Sequence, residues 1–186
     1  AMNHNKNWVV GIYVVFCIVL VAVPTAGRSG GDIPGNTALL LAPDALLDEL
    51  KNGGYVIYFR HGITGREGEK DVGLENITNC QIQRNLTPTG IEQTRSMGRT
   101  IKKYGIPIGE VLSSPYCRCM DTAMNLFGRA QASDALFFAI NVSKTQRAEI
   151  TSQLRELLST KPPAGVNTAL ISHTANLREA TGIWPK

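Results

Sequence analysis

The stretch YFRHGIT, residues 58–64, closes an apolar run and then places an arginine, a histidine and a glycine in a row. The run that contains it, residues 55–59, has the length and composition of a buried β-strand. In open α/β sheets, ligand-binding residues lie just beyond the carboxyl ends of the strands. The position of Arg60 and His61 therefore predicts that this strand ends at a functional site.

Two more strands are predicted, at residues 111–113 and 168–172, and helices alternate with them along the chain. Thr89 and Glu92 stand at capping-box spacing near the start of the second helix. This order predicts an α/β fold, a three-layer sandwich around a mainly parallel sheet with right-handed crossovers. The helices are expected at residues 44–52, from 87 to just before 105, from 115 to 127, at 145–158 and at 175–181.

Each predicted strand ends on reactive side chains. The strand ends carry Arg60 and His61, then Ser113 and Ser114 with Arg118 one helical turn further, and finally His173. In a parallel sheet these ends share one edge, so two histidines and two arginines are expected to meet. Guanidinium groups and the first turn of the helix near Pro115 suit phosphate oxygens. One neutral imidazole could attack phosphorus while the second donates a hydrogen bond to the transferring group. The arginines would supply the positive charge, so this chemistry requires neither a metal nor a cofactor.

The first 26 residues have the order of a secretory signal: a charged start, an apolar stretch and then small residues. Lys6 is the only Lys, Arg, Asp or Glu among them. We expect cleavage near Ala26 or Gly27, which would make the protein periplasmic or secreted. The alternative is an uncleaved anchor, through which alone the protein would contact the membrane. Residues 27–42 are predicted to be a linker, and residues 43–186 to be the folded domain.

The composition indicates one globular domain and a small-molecule partner. The chain has 186 residues, of which 43% are apolar and 18% charged. A formal net charge of +4, with no run of Lys and Arg interleaved with aromatics, gives no reason to propose nucleic-acid binding. This mild positive charge suits an anionic small substrate.

Three of the four cysteines, Cys80, Cys117 and Cys119, lie outside the predicted signal peptide. Export permits one disulfide among them and leaves one thiol over. The candidates are Cys80 with Cys117 and Cys80 with Cys119. A C-x-C pair with a distant cysteine is not a recognised zinc spacing, so no metal site is predicted.

Three motifs together resemble the histidine phosphatase superfamily, which has the phosphoglycerate mutase-like fold. They are RHG at residues 60–62, LSSPYCRCMDTA at 112–123 and ISH at 171–173, and the resemblance covers about residues 44–184. The stretch NCQIQRNLTPTG, residues 79–90, is further similar in outline to a small exported subgroup, the lipopolysaccharide core heptose phosphatases.

The resemblance implies a role for each site residue. His61 would be the nucleophile that becomes a phosphohistidine, and Arg60, Arg118 and His173 would form the phosphate pocket. Arg84, on the long connection 62–86, could fold over the site and bind substrate; an exposed loop arginine is the alternative. The implied reaction is metal-independent hydrolysis of a phosphomonoester, with a sugar phosphate or an envelope component as the substrate.

The sequence also departs from the family pattern. Family members place an acid after the second motif or directly after the later histidine, whereas here Thr174 follows His173 and Asn141 stands near the other expected position. Only 13 residues follow His173, where relatives continue into another strand. These departures keep open a phosphate-binding protein with little turnover and, more weakly, a phosphomutase. The candidates for the general acid are Glu149, Asp134 and Asp71.

Overall fold

The computed structural model describes residues 19–22, 43–65, 74–140 and 142–184. The strands are β1 (Val19–Ala22), β2 (Val56–Arg60), β3 (Ile108–Ser113), β4 (Gln131–Ala132) and β5 (Asn167–Ser172). The helices are α1 (Pro43–Asn52), α2 (Pro88–Lys103), α3 (Cys117–Phe127), α4 (Lys144–Ser159) and α5 (Thr174–Thr181). Short 3-10 helices occupy Leu74–Asn76, Cys80–Ile82 and Asp134–Leu136. In this part of the chain no helix has the length and hydropathy needed to cross a membrane.

The strands form one sheet in the order β1-β2-β5-β3-β4. Strands β2, β5, β3 and β4 are parallel, and β1 runs antiparallel along the free side of β2. Arg60 pairs with Ser172, and Ser113 pairs with Ile171. The carboxyl ends of β2, β5 and β3 therefore lie side by side, as the sequence predicts. Strands β1 and β4 were not expected.

The apolar residues of β2 and β5 are buried on both faces of the sheet, as is usual for parallel strands covered by helices. Ile57 and Phe59 of β2 point into a core that they share with α1, α2 and α3. Val56 and Tyr58 point the other way, into a second core formed with α4 and α5. This alternation, which follows from the two-residue period of a strand, confirms the predicted three-layer sandwich.

The helix boundaries mostly agree with the prediction, but the cap of α2 differs from it. Thr87 is the N-cap, and its side-chain oxygen accepts a hydrogen bond from the Gly90 backbone N–H at 3.0 Å. Pro88 follows at the start of the helix, a position that needs no N–H donor. The expected capping box of Thr89 and Glu92 is therefore wrong, and Glu92 instead forms an exposed ion pair with Arg99 at 2.6 Å.

The start of α2 packs tightly against the backbone that follows His61. A Cβ atom at Gly90 would lie 2.1 Å from the carbonyl oxygen of Ile63, so only glycine allows this approach. The Ile63 carbonyl also accepts a hydrogen bond from the Thr87 N–H at 2.9 Å. On the other side, the Gly62 N–H donates to the Thr122 hydroxyl of α3 at 3.0 Å. The turn after β2 is thereby held between two helices.

Two predicted segments fall largely or wholly outside the described residues. The expected linker, residues 27–42, lies outside them, as does most of residues 1–26. Strand β1 belongs to that N-terminal segment, and its assignment as a signal peptide stays a prediction.

Candidate active site

His61 lies directly beyond β2, and its backbone N–H donates to the Ser172 carbonyl at 3.1 Å, which continues the ladder between β2 and β5. The side chain is only 5% exposed, and its Nδ1 lies 2.8 Å from the Gly62 carbonyl oxygen. A carbonyl can only accept, so Nδ1 carries the proton. The hydrogen bond therefore leaves Nε2 with a free lone pair.

The surroundings of His61 keep its ring neutral. The pKa of His61 is lowered to about 3; burial is the largest cause, and the positive charges of Arg118, Arg60 and Arg84 act in the same direction. The hydrogen bond to the Gly62 carbonyl acts in the opposite direction but is outweighed. At neutral pH the imidazole is therefore unprotonated at Nε2, which is the state that a nucleophile requires.

His173, at the end of β5, is the second buried histidine and is 2% exposed. Its Nδ1 lies 3.4 Å from Arg118 Nη2, and its Nε2 lies 3.0 Å from Ser114 Oγ and 3.7 Å from Cys119 Sγ. A guanidinium only donates, so Nδ1 accepts and the proton sits on Nε2. Burial, followed by the charge of Arg118, lowers the pKa of His173 well below its usual value. The ring centroids of His61 and His173 are 5.4 Å apart.

Arg118 lies in the first turn of α3 and is fully buried. Its guanidinium carbon stands 4.4 Å from the centre of the Tyr116 ring and 5.8 Å from that of Phe138. The His173 ring packs on the same two aromatics, at 5.3 Å and 4.6 Å between centroids. Cation–π contacts of this kind stabilise a desolvated arginine. The aromatic pair therefore holds both the guanidinium and the imidazole in place.

Asn176 of α5 positions the segment that carries Phe138. Its side chain is 1% exposed; Nδ2 donates to the Phe137 carbonyl at 2.6 Å, and Oδ1 accepts from the Ala139 N–H at 3.0 Å. These bonds flank Phe138 on both sides. Sequence reasoning missed Asn176 because a single asparagine in a helix carries no pattern that separates a buried residue from an exposed one.

Arg60 and Arg84 complete the positive charge of the site. Arg60 is the exposed last residue of β2, and Arg84 is half-buried on the connection before α2. Both lower the pKa of His61 and of His173, as Arg118 does. No carboxylate of the described residues contributes to either shift. Three guanidinium charges thus act on both histidines, and this arrangement favours the binding of a multiply charged anion such as phosphate.

The connection is tied to α3 beside Arg118. Cys80 is bonded to Cys117, which settles the disulfide pairing, and Cys119 is buried outside the disulfide with its Sγ 3.7 Å from His173 Nε2. The Cys117 N–H donates to Gln83 Oε1 at 3.0 Å. The expectation that the first turn of this helix offers its N–H groups to phosphate is therefore wrong for Cys117. Gln83 itself was not predicted, since QIQR contains two glutamines and the sequence does not reveal which one is buried.

The predicted general acid lies on the surface of α4. Glu149 is exposed on α4, and its carboxylate accepts a hydrogen bond from Gln153 at 3.3 Å. Asp134 is exposed as well. Asp71 and Asn141 lie outside the described residues. The assignment of Glu149 as the general acid stays a prediction.

No metal-binding site is evident among the residues that the structure describes. That part contains no group of three or more His, Cys, Asp or Glu side chains arranged to hold a metal ion. The charge opposite a bound phosphate would come from guanidinium groups in this cluster.

Two buried histidines and three arginines at the edge of a parallel sheet agree with the resemblance noted in the sequence. Residues 56–156 match the histidine phosphatase superfamily (branch 1). The chain belongs to this superfamily. It is thus a phosphatase by family, and its α/β architecture is the phosphoglycerate mutase-like fold expected of a histidine phosphatase.

Several solved structures of phosphatases are similar to this one. The protein histidine phosphatase SixA complexed with tungstate is 20% identical with a TM-score of 0.47, and the match covers 70% of this chain and 80% of that chain. The ecdysone phosphate phosphatase from Bombix mori is 16% identical with a TM-score of 0.46, covering 68% and 75%. The mycobacterial glucosyl-3-phosphoglycerate phosphatase is 16% identical with a TM-score of 0.46, covering 67% and 78%. Among curated proteins, none matches the sequence.

Proposed function

We propose that this histidine phosphatase hydrolyses phosphomonoesters through a phosphohistidine on Nε2 of His61. The observation that carries the proposal is the hydrogen bond from Nδ1 to the Gly62 carbonyl in a buried, neutral ring. It leaves Nε2 as the only ring nitrogen able to attack, and it fixes the direction of attack. Free imidazole in water has neither property.

The arginines would bind the phosphate and stabilise the charge of the transition state. Arg118 is buried, where an ion interacts with a partner more strongly than it does in water, and Arg60 and Arg84 bring charge from the solvent side. His173 would hold the Arg118 guanidinium in place, since its Nδ1 accepts from Arg118 and its Nε2–H faces Ser114 Oγ; the donor role expected of this histidine does not fit that tautomer. Positive charge from three guanidiniums takes the role that a metal ion has in other phosphatases.

The reaction would proceed in two displacements. Nε2 of His61 attacks phosphorus, a P–N bond forms, the P–O bond to the alcohol breaks, and the leaving oxygen takes a proton from solvent water. Water then attacks the phosphohistidine, the P–N bond breaks, one proton of the attacking water returns to the solvent, and orthophosphate leaves with Nε2 again unprotonated. The enzyme ends the cycle unchanged, which is the pattern of covalent catalysis.

The substrate we propose is a phosphorylated small molecule outside the cytoplasm. The signal-like residues 1–26 support export, and the resemblance of residues 79–90 to the exported heptose phosphatases favours a sugar phosphate or an envelope component. The Cys80–Cys117 disulfide is compatible with an oxidising compartment.

The decisive experiment measures release of phosphate from an aryl phosphate and a panel of sugar phosphates, in EDTA, by three proteins. These are the unmutated chain, His61→Ala, and Glu156→Gln as an exposed control on α4. We expect turnover by the first and the control, and a loss of about 10³-fold or more in His61→Ala, the order found when a covalent nucleophile is removed. Acid-labile, alkali-stable phosphate on the unmutated protein would support the intermediate.

Two results would contradict the proposal. Full activity of His61→Ala would exclude His61 as the nucleophile. Phosphate binding with no turnover of any substrate, by a folded sample, would replace hydrolysis with phosphate binding, the alternative that Thr174 after His173 keeps open.

A further inference from the structure

Residues 77–87, which we call the arginine loop, carry Arg84 and have almost no core of their own. Gln83 is the one buried side chain among residues 75–87, at 1% exposed, while the others are exposed or half-buried. Loops without buried apolar contacts have low local stability. Ile77 packs partly buried against the core at the start of the loop, and beyond it the position of the arginine loop depends mainly on specific bonds.

Gln83 supplies two of these bonds. Its Nε2 donates to the Ile77 carbonyl at 2.7 Å, and its Oε1 accepts from the Cys117 N–H at 3.0 Å. The first bond closes the arginine loop on itself, and the second ties it to α3. An uncharged amide can satisfy a donor and an acceptor at once, which explains a glutamine at a buried position.

The disulfide reinforces the same attachment point. Cys80 is joined to Cys117, with 5.7 Å between their Cα atoms, so Cys117 receives both the disulfide and the Gln83 hydrogen bond. Within the loop, Asn85 Nδ2 donates to the Cys80 carbonyl at 2.6 Å. Arg84 directly follows Gln83, and Arg118 directly follows Cys117. The hydrogen bond between Gln83 and Cys117 thus connects the residue directly before Arg84 with the residue directly before Arg118.

The far end of the arginine loop is bound to the segment after His61. Gly65 N–H donates to the Asn85 carbonyl at 3.3 Å, and Thr64 forms a β-bridge with Leu86. Arg84 is therefore held between the turn that carries His61 and the helix that carries Arg118, and its charge acts on both histidines.

From this arrangement we propose that Gln83 is a positioning residue, which acts with the Cys80–Cys117 disulfide to hold Arg84 at the phosphate pocket. The inference rests on the proposed function, because it assigns Arg84 to phosphate binding there. Gln83 itself faces Ile77 and Cys117 and acts only through Arg84.

A double-mutant cycle tests whether Gln83 acts through Arg84. Gln83→Met has a similar length and removes both hydrogen bonds, and Gln81→Met, at an exposed position of the short helix that Gln83 caps, is the matched control. We expect Gln83→Met to raise KM for an aryl phosphate about 10-fold, with kcat changed less than about threefold. In an Arg84→Ala background the same change should raise KM less than about twofold.

An equal effect of Gln83→Met in both backgrounds would overturn the inference, because a residue with only a structural role acts independently of Arg84. No effect in either background would overturn it as well. Thermal unfolding shows whether each variant is folded. Where Gln83→Met is unfolded, Gln83→Glu takes its place in the cycle, since it keeps the acceptor for the Cys117 N–H and loses the donor to Ile77.

Binding of inorganic phosphate, measured by calorimetry, separates this inference from the proposed function. If His61→Ala remains active but Gln83→Met weakens phosphate binding only when Arg84 is present, the positioning role stands and the phosphohistidine proposal fails. If His61→Ala is inactive and phosphate binds equally well to Gln83→Met, the positioning role fails and the proposed function stands.

Discussion

The two sides of the candidate active site are held in place by different forces. On the sheet side, His61, Arg118 and His173 are at most 5% exposed and sit where strands or a core helix end. On the loop side, Arg84 is half-buried and depends on one disulfide and the amide of Gln83. The sheet side is thus fixed by the same burial that folds the domain, and the loop side by a few cross-links.

This difference separates two properties of the enzyme. The geometry of attack belongs to the sheet side, so it cannot be loosened without a cost to the whole fold. If Arg84 binds substrate as proposed, substrate affinity depends in part on the arginine loop, which can be released while the sheet stays intact. Changes on the two sides should therefore differ in both kind and size.

The largest expected effect comes from the Cys80–Cys117 bond, which closes a segment with a sequence separation of 37 residues. Chain entropy predicts that its loss lowers the free energy of unfolding by about 4 kcal/mol. Urea unfolding of Cys80→Ser/Cys117→Ser against the unmutated protein measures this change. A reductant should destabilise only the unmutated protein, and an equal response of both would contradict the prediction.

Replacing arginines on the two sides compares them directly. Arg118→Met should lower kcat/KM about 10²- to 10³-fold, the order measured when a preorganised donor to transition-state charge is lost. Arg84→Met should lower it only about 10-fold, because a half-buried charge is partly screened by water. Steady-state kinetics on one aryl phosphate provides the measurement. Equal losses would mean that the loop side is as essential as the sheet side.

The buried histidines make stability depend on pH. The pKa of His61 is lowered to about 3, and that of His173 is lowered well below its usual value, so both bind fewer protons in the folded than in the unfolded protein. The stability that depends on both rings being neutral is therefore fully present above about pH 6.5 and falls as the pH drops below it, for His61 until about pH 3. The slope should reach about 1.4 kcal/mol per pH unit for each histidine.

Urea unfolding between pH 4.5 and 7 measures this slope. It should be weaker in His61→Asn, which removes one of the two titrating groups. Arg84→Met should change it little, since burial is the first cause of both shifts. A slope that is unaffected by His61→Asn would show that burial of this histidine is not the source of the acid sensitivity.

The smallest expected effect lies within the sheet side. Ser114→Ala removes the hydroxyl that lies 3.0 Å from His173 Nε2 but leaves the ring packed on Phe138. We expect kcat to fall about 3- to 10-fold with little change in KM, the usual size for one neutral hydrogen bond. Ser114→Thr, which keeps the hydroxyl, should restore most of the rate. Failure of this rescue would count against an orienting role for the hydroxyl.

Much of the sheet side could be predicted because its signals are local. Apolar runs locate β2, β3 and β5, and the parallel arrangement brings their ends to one edge, so Arg60, His61 and His173 could be placed from the sequence. Strand β4 could not, since its two exposed residues carry no apolar pattern. The capping box of α2 was expected at Thr89, whereas the N-cap is Thr87, because both threonines match a capping pattern.

The loop side could be predicted only in outline. Arg84 stood out as a candidate, but an exposed loop arginine was an equal alternative. We infer that the position of Arg84 depends on the hydrogen bond between Gln83 and Cys117 and on the Cys80–Cys117 disulfide. The sequence predicted neither the bond nor which of the two cysteine pairings forms. Both are contacts between residues more than 30 positions apart. Such contacts leave no periodic trace in the sequence.

The sequence by itself determined the alternation of strands and helices, the family and the residues that stand at the strand ends, because these depend on local period and on short motifs. Only the tertiary structure decided the tautomer of His61, the pairing of Cys80 and the anchoring of Arg84. Each of these depends on which atoms lie within hydrogen-bonding or bonding distance after folding. Burial then sets the pKa values, and no local pattern fixes how much water a histidine loses.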